Sequence, residues 1–211
     1  MSQSPPRILA FVQSGGAFNA GVTRRSFAGA LLASLLFATR RGAAEDVAVP
    51  VSLQAELMVK VAAYDKNFVA RAGSRAKVLV VRKGGNADST RVAKQMLNAL
   101  SAVDTIAGLP HDDVEMLWTG ATALAAVIKK QRAAMVYFAA GFGDDVEAID
   151  KALEGSDVLT VSSMPSYVPK GIVLGFDLVG GKAKLLCHLG QAKKQKVAFK
   201  AEALKLMKVY E

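Results

Sequence analysis

The chain has 211 residues, 52% of them hydrophobic and 7% aromatic, and a formal charge of +9. That length leaves about one domain behind a leader, enough to bury a core without disulfides or a structural metal. The charge does not argue for nucleic acid. Arg7, Arg24, Arg25, Arg40 and Arg41 all precede Glu45, and no acid does. The remaining 22 Lys and Arg meet 18 Asp and Glu, a net +4 that is too weak for phosphate-backbone binding. The single cysteine, Cys187, excludes an intramolecular disulfide, and no Cys lies near the leader's end to take a lipid.

Residues 1–44 read as a twin-arginine export signal. Arg24 and Arg25 are followed one residue later by Phe27, then by an apolar run from Ala28 to Thr39. Gly42-Ala43-Ala44 offers small residues for cleavage after Ala44. About a dozen apolar residues are too few for a membrane-spanning helix, which needs about 20. The true start is placed alternatively at Val22, because the residues before it do not resemble a signal's charged opening. The expected location is the periplasm, as one α/β domain over residues 45–211.

Val51 to Phe68 carries apolar residues at helical spacing, and Lys77 to Val81 is a short β-branched run that reads as a buried strand. The glycine-rich stretch from Gly84 to Ser89 leads into a helix over Thr90 to Leu100. Thr105–Leu109 and Val114–Trp118 read as short strands around Pro110. A helix over Ala121–Gln131, a strand over Ala134–Phe138, a helix opening at Gly141 and running to Leu153, and a strand over Val158–Val161 follow. Gly180-Gly181 between two apolar runs signals a hairpin. A Lys-rich helix from Ala192 to Met207 is expected to end the chain. The pattern predicts an α/β fold: a mixed, mostly parallel sheet, helices on both faces, and an antiparallel C-terminal hairpin.

In such a sheet, ligands favour the crevice beyond the carboxyl ends of the strands. Three loops are expected there: Lys83 to Ser89, Gly141 to Asp145, and Ser162 to Lys170. The candidate binding residues are Lys83, Asn86, Ser89, Phe142, Ser162 and Tyr167. The first loop adjoins a helix N-terminus, where free N–H groups attract anions, but it matches no phosphate or dinucleotide motif. The competing reading is a turn with Asp88 or Ser89 as helix cap. Phe142 and Tyr167 read either as interface anchors or as plugs folded back into their loops. Asp144-Asp145 suits helix capping better than acid catalysis. His111-Asp112-Asp113 reads as a solvated turn before it reads as a metal cluster. Cys187 and His188 point to opposite faces of a strand and do not converge on one ion. Ser162 and Ser163 lack the nucleophile-elbow frame. No catalytic residue, metal or cofactor is assigned.

Three stretches resemble the YfiR family of periplasmic proteins. They are Leu53–Lys60 through Ala63–Asn67 into Val78–Val81; Val158–Ser162 with Gly171–Leu174; and Gly181–Leu186 through Phe199 and Leu204–Leu206. The resemblance implies the same α/β fold, export, and a repressor that binds the periplasmic sensor domain of a membrane diguanylate cyclase. The cysteine pairs that give some members redox control are missing here. His188 stands where members commonly have Asn after the last strand. The expected function is a non-enzymatic regulatory or sensory protein that binds the periplasmic part of a membrane signalling protein, a cyclase or sensor kinase. The alternative is a periplasmic small-solute-binding protein. A homo-oligomer is left open, and no nucleic-acid partner is expected.

Overall fold

A computed structural model describes residues 49–211. The export residues Arg24, Arg25, Phe27 and Ala44, the leader boundary and the alternative start at Val22 lie outside the described residues. In chain order the elements are α1 (Val51–Ala62), α2 (Phe68–Ala72), β1 (Ala76–Arg82), α3 (Ala87–Leu100), β2 (His111–Leu117), α4 (Ala121–Gln131), β3 (Met135–Phe138), α5 (Val146–Leu153) and β4 (Leu159–Ser162). A 3-10 helix (Pro165–Lys170) follows, then β5 (Leu174–Val179), β6 (Lys182–His188), α6 (Leu189–Lys194), α7 (Ala201–Leu204) and β7 (Met207–Tyr210).

The seven strands form one sheet in the order β2-β1-β3-β4-β5-β6-β7. The pairings from β2 through β5 are parallel, β5–β6 is antiparallel, and β6–β7 is parallel again. β3 and β4 are buried along their whole length because helices cover both faces there. The chain leaves β1 in one direction to reach β2 and returns past it to β3. Right-handed crossovers therefore send α3 to one face and α4 and α5 to the other. α1 packs on α3, and α4 on α5. Gly180 and Gly181 turn the hairpin with φ of 58° and 74°, a backbone that side chains resist.

The structure corrects four details. The expected Val51–Phe68 helix breaks after Ala62, where Asp65 pairs across to Phe199 as an isolated bridge. Between Thr105 and Leu109 only Ile106 and Leu109 pair, so this stretch is a tight turn. His111, Asp112 and Asp113 form the start of strand β2, where a turn was expected. The long Lys-rich helix does not exist. α6 ends at Lys194, Lys196 takes a left-handed backbone (φ 54°), and residues 207–210 become the edge strand β7. Val197 and Phe199 are buried in the intervening segment, and that packing overrides the helical composition.

Candidate functional site

The strand order reverses at β1, which opens a crevice at the carboxyl ends of β1 and β3. The expected loops do meet there. Lys83 follows β1, and its ammonium lies 2.6 Å from the Asp145 carboxylate beyond β3. Its backbone N–H donates to Ser89 Oγ at 2.9 Å. Asn86 Oδ1 accepts from Ser89 N–H at 2.8 Å, so Asn86 is the cap of α3 in place of Asp88 or Ser89. Asp145 stands at the start of α5 without a side-chain capping bond, its carboxylate given to Lys83.

The crevice is filled. Phe142 is fully buried, with its ring edge-on to Trp118 (5.4 Å) and to Phe138 (5.5 Å). Lys83 Nζ lies 6.0 Å from the centre of that ring, covering it from outside. The buried Tyr167 hydroxyl accepts the Phe142 N–H at 2.7 Å, joining the second loop to the third. Gly141, at φ 94°, passes so near Asn86 that a Cβ would lie 2.7 Å from its Nδ2. Ser162 is closed on itself: its hydroxyl donates to Met164 O (2.8 Å) and accepts from Met164 N–H (2.9 Å). Lys83, Asn86, Ser89, Phe142 and Tyr167 are thus linked by contacts, while Ser162 stands one strand away. Both rings are buried plugs and present no aromatic surface.

Other polar groups found in the sequence serve the frame. His188 Nδ1 accepts from Gln191 N–H at 3.2 Å and caps α6, the service an Asn at that position would supply. Cys187 is buried, and burial pushes its thiol up to about 12, so little thiolate forms at neutral pH. Tyr137 is buried in the core, and burial raises its hydroxyl far above the ordinary range; it donates to Gln54 Oε1 at 2.8 Å. Among the described residues, no group of three or more His, Cys, Asp or Glu is placed to hold a metal.

A cleft of about 660 Å³ lies at the opposite, amino ends of the strands. Ala70, Ala125, Ala126 and Ala133 line it, flanked by Lys129 and Arg132 and by Glu154 and Asp157. Arg71 braces its wall. The guanidinium reaches Asp65 (2.7 Å) and Asp157 (2.5 Å) and donates to Lys196 O (3.1 Å). Asp65 also accepts from the N–H groups of Asn67 (3.1 Å) and Ala198 (2.9 Å). This clamp was missed in the sequence.

A profile of the YfiR/HmsC-like family matches residues 53–208, and the chain belongs to that family. Members of that family are known as periplasmic regulators of signalling. No curated protein matches. Among the solved structures that match, two serve as examples of the shared fold. A conserved domain protein from Vibrio cholerae is 12% identical (TM-score 0.54), covering 77% of this chain and 60% of its own. An ABC domain from Streptococcus pneumoniae in complex with L-Trp is 10% identical (TM-score 0.54), covering 77% and 62%. The chain therefore spans about three fifths of the length of each, and the likeness concerns the fold.

Proposed function

We propose that this protein is exported through the twin-arginine route and acts in the periplasm as a regulator. It would work by contact with the periplasmic part of a membrane signalling protein, a diguanylate cyclase being the first candidate. The observation that carries this reading is the family match across 53–208, almost the whole described chain. The packed crevice agrees with it, since Phe142 and Tyr167 occupy the space a substrate would need. Export rests on Arg24-Arg25 and Phe27 ahead of the apolar run. Replacing both arginines by Lys should hold the precursor in the cytoplasm, because the point charge lacks the planar fork. Normal periplasmic yield would remove that route.

The regulatory reading is tested by titrating the purified protein against the purified periplasmic domain of a membrane diguanylate cyclase from the same cell. Cellular cyclic dinucleotide is followed when the gene is deleted. Saturable binding together with a rise in the messenger is expected. No binding and an unchanged messenger level would sink the proposal. The solute-binding reading is favoured by one observation, the cleft lined by Lys129, Arg132 and Glu154. A melting-temperature screen against small charged solutes, repeated with Arg132→Ala, decides whether it replaces the first.

A further inference from the structure

We infer that the β5–β6–β7 edge of the sheet is the docking surface, and that its occupant is an acidic segment of a protein partner. The inference rests on the regulatory reading above and deepens it. Four of the exposed large apolar residues fall in this corner: Leu178 (47% exposed), Val179 (58%), Leu206 (66%) and Val209 (40%). Register places Leu178 beside Ala183, and Val209 beside Cys187, on one face of the sheet, with Phe176, Leu185 and Met207 in the row between them. That row is buried or half-buried, so the exposed residues continue the core outward. Leu206 precedes β7, and Val179 stands at the hairpin tip.

Among the described residues β7 pairs only with β6, which leaves its outer backbone row available for strand addition. Edge strands are ordinarily blunted with charge and kept free of exposed apolar residues. This edge carries both, the lysines of β6 and β7 lying on the face opposite the apolar row, as the strand alternation requires. The charge is positive in balance, although Asp177 stands beside Lys184 in the register. Residues 171–211 contain eight Lys against Asp177, Glu202 and Glu211, a net +5, whereas residues 49–170 hold 14 Lys and Arg against 13 acids, a net +1. Lys182, Lys184 and Lys208 lie on the strands themselves, Lys208 Nζ standing 5.0 Å from the Tyr210 ring centre. Two copies brought edge to edge would set these lysines against each other, so the charge selects an acidic partner over a second copy.

A photo-crosslinking residue placed at Leu206 in living cells, with Leu117 on the opposite edge as control, tests the surface directly. The expected adduct joins Leu206 to a protein segment rich in Asp and Glu and is missing from Leu117. No adduct, an adduct with a second copy, or one with a segment lacking acids overturns the inference. In the second arm, Lys182→Glu with Lys184→Glu, and separately Val179→Ser with Leu206→Ser, are titrated against the purified cyclase periplasmic domain. Each should weaken binding about tenfold or more while melting stays near wild type, and Leu117→Ser should not. If one pair melts early, the other decides. Wild-type binding that neither pair weakens rejects this surface and leaves the regulatory reading standing. An acidic adduct on a protein with no signalling role rejects that reading and leaves the surface standing.

Discussion

The two ends of the strands are built on opposite plans. At the carboxyl ends three loops converge where α/β sheets usually hold ligands, and aromatic rings close the space. At the amino ends a cleft of about 660 Å³ stays open, its wall braced by a buried guanidinium. Topology decides where loops gather, but side-chain volume decides whether a site remains. In this chain the end with the expected loops is core, and the open end is held by charge.

The largest expected effects fall one at each end, and they differ in how they can be rescued. Arg71→Leu leaves Asp65 buried without its partner and should cost about 3–5 kcal/mol. Adding Asp65→Asn removes the stranded charge and should recover part of that loss in urea melts. A double variant no more stable than the single one would show that the clamp is not electrostatic. Phe142→Ala should cost a similar ~3–5 kcal/mol, through the cavity left among Trp118 and Phe138. Labelling of the buried Cys187 reports whether such a variant opens globally. Unchanged melting of Phe142→Ala would mean that the crevice is not packed as described.

A smaller effect separates filling from fastening. Tyr167→Phe keeps the ring and removes the hydroxyl that accepts the Phe142 N–H, so an unpaired buried donor should cost ~1–3 kcal/mol. Hydrogen exchange at the Phe142 amide should quicken at the same time. If stability and exchange both match wild type, the hydroxyl is not what ties the two loops.

Much of the fold was legible because its central strands are short and apolar. Val78–Val81 and Met135–Phe138 are buried on both faces and read as continuous apolar runs. The C-terminal segment misled for a related reason. Its lysines and alanines favour helix, but burial of Val197 and Phe199 and the pairing of Asp65 with the backbone near Phe199 are long-range facts without local signal. The crevice was half legible. Sheet topology told which loops meet, but α3 begins at Ala87 with Asn86 as its cap, three residues before the expected start at Thr90. Whether Phe142 points inward depended on Trp118 and Tyr167, which are distant in sequence. Asp65, Arg71 and Asp157 converge from three elements, so no spacing rule could have joined them.

The smallest expected effect again concerns the amino end of the sheet, where His111 opens β2. Its Nε2 lies 2.8 Å from Val103 O and its Nδ1 2.9 Å from Asp113 Oδ1, so the protonated ring can donate to both. Burial alone would lower its pKa, yet the Val103 carbonyl and the Asp113 carboxylate outweigh burial and hold it above the ordinary 6.5. A group raised on folding contributes stability that is complete below its unfolded value and lost as pH rises through its folded value. The melting temperature should therefore decline above about pH 6.5, with the loss finished once the neutral ring can satisfy only one acceptor. Asp113 does not confound this. Burial raises its carboxyl above 3.8 against the pull of His111, so its stabilising share belongs to the protonated acid, is complete at low pH and is lost as pH rises through that raised value. Subtracting the profile of His111→Leu from that of wild type isolates the histidine. A difference that is flat across neutral pH, or that grows as pH rises, would show that the ring bridges Val103 and Asp113 without its charge.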